Sequence, residues 1–217
     1  METLEYIKNK YGLDYNSEMP IKLPFDRLRG LTKLWRELGF KVGAEIGIDR
    51  GYYSKWICIK NKGCKLFLID PYKAYPEYTE KHDETGQIQL NKIYEKAKNR
   101  LARFNCVFIE KTSMEAVKDF LDNSLDFVFI DANHSFEYVV EDIAQWSKKV
   151  RPGGIVAGHD YWRSIDLKPK KLWGGVSTYE QKLKLCQVPD AVDGWTNANK
   201  IKPWFLTTCN SWFYVKQ

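Results

Sequence analysis

Apolar residues in the middle of this chain come in short, nearly continuous runs, and helical patterns separate one run from the next. The strand-like runs cover residues 42–46, 65–70, 106–110, 125–131 and 153–160. The helical patterns between them cover residues 53–60, 87–104, 114–121 and 136–150. Strands that are apolar on both faces and alternate with helices indicate a parallel sheet covered on both sides. The pattern therefore predicts a doubly wound α/β domain.

The first 40 residues precede this alternation. Apolar residues recur at helical spacing after Asp26, which is suited to cap the start of a helix, and Gly39 is suited to end it. We expect residues 1–40 to form an accessory helical segment, with residues 1–25 as a lid over the pocket of the domain.

The C-terminal part has a different pattern again. A helical pattern covers residues 177–186, and the stretch from there to Lys202 reads as irregular. Two short apolar runs, 204–208 and 211–216, are separated by only two residues and predict an antiparallel hairpin. With this hairpin, the predicted sheet has seven strands, mostly parallel.

Length and composition fit one domain. The 217 residues, 44% of them hydrophobic, suffice for a full core, so we expect a single domain over residues 1–217. No apolar run approaches the roughly 18 residues that a membrane span needs, and the N-terminal stretch lacks the apolar block of a signal peptide. Five cysteines without a CxxC pair predict reduced thiols in a cytoplasmic protein.

The formal net charge of +6 at pH 7 raises the question of a nucleic-acid partner. Most basic residues alternate with acidic ones along the predicted helices, as is typical of solvated faces. A compact basic run occurs only at Lys168, Lys170 and Lys171. The distribution therefore disfavours a nucleic-acid partner, and it leaves assembly into a homo-oligomer open.

The first strand of the alternation ends in an acidic, glycine-rich turn. Glu45, Gly47 and Gly51 lie within the sequence VGAEIGIDRGYY. Glycines between a strand and a helix let the backbone approach a ligand without a Cβ atom in the way. The four-residue spacing between the glycines differs from the GxGxxG turn that cradles a pyrophosphate. The turn thus predicts a nucleotide-type pocket but disfavours NAD.

Asp70 ends the second strand, 19 residues after Gly51. A carboxylate at this spacing binds ribose hydroxyls in dinucleotide-binding folds. Since an ionised carboxylate only accepts hydrogen bonds and ribose hydroxyls donate them, the chemistry agrees with the position. We expect Asp70 to bind the ribose of a cofactor.

Polar residues follow the later strands as well. They are Thr112 and Ser113 after the third strand, Asp131 and His134 after the fourth, and His159 and Asp160 at the end of the fifth. Ligands of open α/β sheets bind at the carboxyl ends of the strands, so we expect these side chains to line one pocket.

With these motifs in register, the sequence resembles the class I S-adenosylmethionine-dependent methyltransferases, which have a Rossmann-like fold. The resemblance covers residues 42–161 and is closest to the bacterial branch that methylates hydroxyl groups of sugars and other small molecules. Residues 127–161 are similar to the pattern I-D-x-x-H-x-Y-E…D…W…PGG…HD of that branch, with Phe136 in place of the tyrosine. The resemblance implies methyl transfer from S-adenosylmethionine to a hydroxyl oxygen.

The resemblance also implies roles for the residues around the cofactor. Those it assigns to cofactor binding are Glu45, Gly47, Gly51, Asp70, Thr112, Ser113 and Asp131. In this assignment the glycine turn holds the methionine part, the acid after the second strand holds the ribose, and the residues after the third strand flank the adenine.

A divalent cation is a further implication. Several relatives bind one through an aspartate after the fourth strand and an acidic pair after the fifth, and the matching positions are Asp131, His159 and Asp160. His159 departs from the acidic residue usual in that pair. Oxygen ligands favour Mg²⁺. The catalytic candidates are Asp131, His134 and His159, and either histidine is suited to take the proton of the acceptor.

Two other functions compete with this interpretation. A nucleic-acid methyltransferase would agree with the net charge, but the chain has neither an NPPY-like motif nor a catalytic Pro-Cys pair. A non-catalytic cofactor-binding module would bind the cofactor and turn over no acceptor.

Overall fold

One sheet of eight strands runs through the computed structural model, which describes residues 2–73, 86–162 and 186–217. The strands are β1 (Ile21–Lys22), β2 (Val42–Ile46), β3 (Lys65–Ile69), β4 (Cys106–Ile109), β5 (Leu125–Ile130), β6 (Val150–Gly158), β7 (Trp204–Leu206) and β8 (Trp212–Val215). Their spatial order is β1-β7-β8-β6-β5-β2-β3-β4. The winding reverses at β2, which has β3 on one side and β5 on the other. A ligand is expected at this switch point.

The directions of the strands confirm the predicted fold class. The strands β2 to β6 are parallel to their neighbours among them, and β8 runs antiparallel between β6 and β7. The C-terminal hairpin thus closes one side of a Rossmann-like sheet. It pairs through registers such as Phe205 with Phe213.

An eighth strand, β1, was not among the seven that the sequence predicts. Ile21 pairs with Phe205, and Leu23 N donates a hydrogen bond of 2.8 Å to the carbonyl of Leu206. A strand of two residues has no alternation that a sequence pattern can reveal. Its consequence is that the N-terminal segment is fixed to the C-terminal hairpin.

Helices pack on both faces of the sheet. They are α1 (Thr3–Tyr11), α2 (Thr32–Glu37), α3 (Tyr52–Lys60), α4 (Gly86–Leu101), α5 (Ser113–Ala116), α6 (Phe136–Lys149) and α7 (Val188–Ala198). On one face Trp35 stacks on Phe127 with ring centroids 4.0 Å apart, and on the other Trp146 meets Phe120 edge-on at 5.1 Å. Burial on both faces explains why the strands are apolar throughout.

The segment before β2 begins with a capped turn. Asp26 Oδ1 accepts a hydrogen bond of 2.8 Å from Arg29 N and caps a π-helical turn, Arg27–Leu31, that continues into α2. Gly39 follows with φ of 72°. The predicted helix between Asp26 and Gly39 is confirmed, and its first residue stands at the carboxyl ends of the parallel strands.

Helix α7 corrects the sequence interpretation, because that stretch was expected to be irregular. Pro189 lies in its first turn, where a missing N–H costs nothing, and Ala191 and Val192 are buried against the sheet. Gly194 and the surrounding Asp and Asn residues weaken the helical signal, so packing decides the structure.

The helix predicted over 177–186 and the basic run at 168–171 lie outside the described residues, apart from Cys186. Among the helices described, none is long and apolar enough to cross a membrane.

Candidate active site

A cavity of about 140 Å³ opens at the carboxyl ends of β2, β3 and β5. Its lining includes four of the residues expected at the cofactor, namely Gly47, Asp70, Ser113 and Asp131. Three others, Glu45, Gly51 and Thr112, lie outside this lining. The cavity is therefore at the switch point of the sheet, where the topology predicts a ligand.

Gly47 is required by the close approach of two strand ends. Its φ is 84°, and a Cβ atom there would overlap the carbonyl oxygen of Asp131. Gly47 N also donates a hydrogen bond of 2.9 Å to the carbonyl of Ile69. The glycine thus lets β2, β3 and β5 converge beneath the cavity, in addition to any role at a ligand.

Gly51 has a packing role. Its φ is 69°, it stands immediately before α3, and a Cβ atom there would lie 2.9 Å from Leu101 Cδ1 on α4. The missing side chain allows α3 and α4 to pack closely. Contact of Gly51 with a cofactor stays a prediction.

Asp70 ties the glycine turn to the end of β3. Its Oδ2 accepts hydrogen bonds from Ile48 N at 3.0 Å and Asp49 N at 3.2 Å, and its Oδ1 accepts one from Tyr72 N at 2.9 Å. Burial raises the pKa of Asp70, while these backbone hydrogen bonds oppose the rise. About one of the four acceptor positions of the carboxylate is left for another donor.

Glu45 is a buried acid near the end of β2, only 2% exposed, and directly precedes Ile46 and Gly47, which line the cavity. Burial raises the pKa of Glu45 to about 8; Asp131 adds to the rise, and Ser54 and Arg27 oppose it. Among the residues that the structure describes, no hydrogen-bond donor meets its Oε2. A buried, unpartnered carboxylate oxygen is costly, and a cationic ligand group would satisfy it.

Thr112 and Ser113 differ in what they face. Thr112 is exposed and forms a capping box with Glu115 at the start of α5. Ser113 lines the cavity, donates a hydrogen bond to Asp142 and accepts one of 2.8 Å from Trp146 Nε1. Ser113 is thus held rigidly, whereas the hydroxyl of Thr112 is used by the helix cap.

Arg27 was not predicted as a site residue, yet its Nη1 lies 2.9 Å from Asp131 Oδ2. The guanidinium also lies over the ring of Tyr53, 4.9 Å from its centroid. Burial lowers the pKa of Arg27, but Asp131, with smaller contributions from Tyr53 and Cys209, raises it above its ordinary value. No local pattern could reveal this residue, since β1 and the π-helical turn bring it to the site.

His159 uses both ring nitrogens. Nδ1 lies 2.9 Å from Asp160 Oδ1, and Nε2 lies 3.1 Å from the carbonyl oxygen of Cys209. Both partners only accept hydrogen bonds, so both nitrogens donate and the ring is an imidazolium. Burial lowers the pKa of His159, but the hydrogen bond to Asp160, the contact with Cys209 and the charges of Asp131 and Asp160 together raise it to about 9.

His134 lies between the two aspartates. Its Nε2 is 3.2 Å from Asp160 Oδ2 and 3.7 Å from Asp131 Oδ1. Ligand atoms of these three residues all lie within 4.8 Å of one another, close enough to share a metal ion. From the sequence, His159 was expected as the third metal ligand with Asp131 and Asp160. In the structure His134 takes this place in the cluster, and His159 lies next to it.

Asp160 is held in an unusual backbone conformation, with φ of 54°. Its Oδ1 accepts a hydrogen bond of 2.7 Å from Trp162 Nε1 in addition to the contact with His159. Burial raises the pKa of Asp160, but His159, His134 and Trp162 together lower it more, so the pKa lies well below its usual value. Strained non-glycine residues cluster at functional sites.

Cys209, in the turn between β7 and β8, is a second residue that the sequence did not single out. Arg27 N donates a hydrogen bond of 3.1 Å to its Sγ, and Thr207 Oγ1 lies 3.4 Å away. Burial raises the pKa of Cys209, but His159 and these donors lower it to about 6. The thiolate is therefore part of the polar cluster.

A family model described as a methyltransferase domain matches residues 44–161. The uncharacterized protein y4gI of Sinorhizobium fredii (strain NBRC 101917 / NGR234) is 23% identical over 123 residues, which cover 55% of this chain and 12% of that protein. The chain thus spans only a small part of the length of this curated relative.

Solved structures share the fold over most of the chain. The O-methyltransferase TomG of Streptomyces achromogenes, in complex with SAM, is 16% identical with a TM-score of 0.57, over 100% of this chain and 91% of that one. The O-methyltransferase of Bacillus cereus, in complex with SAH, is 14% identical with a TM-score of 0.57, over 99% and 90%. The SAH-bound methyltransferase PaMTH1 of Podospora anserina is 16% identical with a TM-score of 0.57, over 86% and 76%.

Proposed function

The chain belongs to the methyltransferase domain family, and from this premise we propose that it transfers the methyl group of S-adenosylmethionine to a hydroxyl oxygen of a small acceptor such as a sugar. The observation that carries the proposal is the unpartnered buried oxygen of Glu45, next in sequence to the wall of a cavity lined by Gly47, Asp70 and Ser113. The structural neighbours crystallised with SAM or SAH support the choice of cofactor.

The residues present fit this cofactor group by group. Glu45 would pair with the ammonium of the methionine part, which supplies the donor that its Oε2 lacks. Asp70 would accept a ribose hydroxyl at the position that its three backbone donors leave. Ser113 would face the adenine. Bound there, S-adenosylmethionine supplies a methyl group already activated by its positive sulfur.

His134 would remove the proton of the acceptor hydroxyl. A free hydroxyl is a poor nucleophile at neutral pH, so a base that takes its proton speeds the transfer, by about 10²–10⁴-fold in typical cases. His159 donates from both nitrogens and has no lone pair to offer. His134, between Asp131 and Asp160, is the remaining candidate, and the two carboxylates would stabilise its protonated form.

A divalent cation such as Mg²⁺ is a second candidate for activating the hydroxyl. Asp131, His134 and Asp160 would hold it, and it would lower the pKa of a bound hydroxyl. Charge balance favours the metal-free mechanism, because Arg27 and His159 already neutralise the two carboxylates. His134 would serve as ligand or as base, but not as both.

We also propose a single domain over residues 1–217, in which residues 1–40 cover one side of the site. The contact between Arg27 and Asp131 supports this arrangement. Five free cysteines support a reducing, cytoplasmic location.

The test is a turnover assay in which S-adenosylhomocysteine is detected by mass spectrometry. The purified chain receives S-adenosylmethionine and, one at a time, monosaccharides, nucleotide sugars and catechols. Product with a hydroxylated acceptor supports the proposal, and cofactor binding without turnover of any acceptor favours a non-catalytic module. His134→Gln should lose about 100-fold in kcat while keeping its affinity for S-adenosylhomocysteine. Loss of turnover in excess EDTA, restored by Mg²⁺, would favour the metal.

A further inference from the structure

Three side chains form a buried hydrogen-bonded chain behind the cavity wall. Asp142 lies on α6 and is 3% exposed. Ser113 Oγ donates to Asp142 Oδ1, and Trp146 Nε1 donates to Ser113 Oγ at 2.8 Å. Asp142 and Trp146 also belong to the D…W part of the pattern in residues 127–161, and the proposed function gives neither of them a role.

Counting donors and acceptors fixes what Ser113 offers the cavity when Asp142 is ionised. A serine hydroxyl has one hydrogen and two lone pairs. The indole N–H of Trp146 only donates, so it uses one lone pair. The ionised carboxylate only accepts, so it takes the hydrogen. One lone pair is left, and Ser113 offers the cavity an acceptor.

Protonation of Asp142 reverses the role of Ser113 toward the cavity, from hydrogen-bond acceptor to donor. The protonated carboxyl donates its hydrogen to the second lone pair of Ser113, while Trp146 keeps the first. The hydroxyl hydrogen of Ser113 is then released from Asp142 and offers the cavity a donor. A single proton on Asp142, which lies behind the cavity wall, thus decides whether Ser113 offers the cavity a hydrogen-bond donor or an acceptor.

We propose that Asp142 is a positioning residue that makes Ser113 an acceptor toward the cofactor and so selects a purine with an exocyclic amino group over one with a carbonyl group. The proposal rests on the proposed use of S-adenosylmethionine, whose adenine carries such an amino group. When the lone pair of Ser113 Oγ faces the amino group of adenine, a hydrogen bond forms. When it faces a purine carbonyl group, two lone pairs face each other and repel.

The switch falls near neutral pH. Burial raises the pKa of Asp142 to about 7, the bond from Ser113 opposes the rise, and Glu141 adds to it. Charged residues on the elements packed against α6 do not contribute to this shift. They are Glu115 on α5, Lys118 and Asp119 in the following turn, Asp126 on β5, Arg151 on β6, and Asp190 and Asp193 on α7.

The experiment compares two ligands that differ only in the purine, S-adenosylhomocysteine and its deaminated analogue S-inosylhomocysteine. Their dissociation constants are measured by titration calorimetry on the full chain from pH 5.5 to 8. The quantity of interest is their ratio, because groups that face the shared homocysteine part, such as Glu45, cancel. In the wild type, the preference for S-adenosylhomocysteine over S-inosylhomocysteine should rise about tenfold as the pH passes 7. A change of this size corresponds to the gain of one hydrogen bond.

Three variants complete the design. Asp142→Asn cannot ionise, so its ratio should not change with pH. Glu141→Gln, an exposed neighbour on the same helix, should keep the rise but at a lower pH, because Glu141 adds to the raised pKa of Asp142. Ser113→Ala lacks the hydroxyl and should show a ratio independent of pH, and it keeps the test open should Asp142→Asn fail to fold.

The outcomes separate this inference from the proposed function. Binding of S-adenosylhomocysteine with a ratio that does not change with pH in the wild type overturns the role of Asp142 alone. A rise that persists unchanged in Asp142→Asn or Ser113→Ala overturns it as well. Failure of the wild type to bind S-adenosylhomocysteine at any pH overturns the cofactor assignment, and with it this inference.

Discussion

Arg27 and Asp131, 104 positions apart in the chain, form an ion pair of 2.9 Å at the carboxyl ends of the parallel strands. Both side chains are about three-quarters buried, each with 23% of its surface exposed. The arginine comes from the segment before the α/β alternation, and the aspartate follows β5. The N-terminal segment thus supplies a positive charge that the acidic cluster of the site needs.

Arg27→Ala should lower the free energy of unfolding by about 1–3 kcal/mol, because it leaves the carboxylate of Asp131 partly buried without its partner. Turnover should fall as well, since Asp131 loses the contact that orients it. Thermal denaturation and kcat are the measurements. Arg29→Ala, two residues away and exposed, is the matched control and should change neither. Equal effects of the two variants would show that the ion pair is not what matters.

Gly47→Ala tests the close approach of the strand ends. In the variant, the alanine has to adopt a left-handed backbone conformation, with φ of 84°, and its Cβ atom overlaps the carbonyl oxygen of Asp131. Gly39→Ala has similar strain, at φ of 72°, with open space around the position. We expect a loss of about 1 kcal/mol for Gly39→Ala and at least 3 kcal/mol for Gly47→Ala in urea unfolding. Similar losses in the free energy of unfolding for the two variants would mean that the strand ends move apart to accommodate the Cβ atom without destabilising the protein.

Asp70→Ala should affect both stability and the cofactor. It removes the acceptor of three backbone N–H groups, which should cost about 2–4 kcal/mol in urea unfolding. Affinity for S-adenosylhomocysteine should fall at least tenfold in calorimetry. Asp70→Asn keeps one acceptor oxygen and should lie between wild type and Asp70→Ala in both measurements. Unchanged affinity in a folded Asp70→Ala would remove Asp70 from the cofactor site.

The sequence predicted those parts of the site that follow from strand periodicity. Asp70 and Asp131 directly follow apolar strands, so the alternation fixes them at one edge of the sheet. Their hydrogen-bond partners could not be predicted in the same way. The three N–H groups on Asp70 depend on the conformation of the glycine turn, and the overlap that requires Gly47 depends on the distance between β2 and β5.

Arg27 and Cys209 show the limit of local patterns more sharply. They meet because a two-residue strand pairs with β7, and no periodicity encodes so short a contact. The choice between the two histidines is another such case. Both His134 and His159 follow strands, and only the acceptors around His159 show that it carries two protons.

Cys209 should react with iodoacetamide faster than the other thiols at pH 7. Burial raises its pKa, but His159 and nearby donors lower it to about 6, so the thiolate dominates at neutral pH. His159→Gln removes the positive charge, returns the pKa toward its ordinary value and should slow alkylation roughly tenfold. Peptide mapping by mass spectrometry follows the rate at each cysteine, with Cys186 as the reference. A rate at Cys209 that is insensitive to His159→Gln would contradict the coupling.

Binding of S-adenosylhomocysteine should release a proton from Glu45. Burial holds the pKa of Glu45 at about 8, so at pH 7 the free protein carries it mostly protonated. An α-amino group ordinarily titrates near pH 8 as well, so the ligand already brings its ammonium at pH 7. Pairing the ammonium with the carboxylate ionises Glu45 and expels about one proton per ligand.

The affinity for S-adenosylhomocysteine should accordingly rise with pH below 8, because deprotonation of Glu45 is then no longer part of the binding cost. Calorimetry in phosphate and in Tris, whose ionisation enthalpies differ, gives the number of protons released. Glu45→Gln has no proton to lose at this position, so it should bind more weakly and release about one proton fewer per ligand than the wild type. Tight binding by the wild type without proton release would place the ammonium away from Glu45 and leave its buried oxygen without the partner proposed for it.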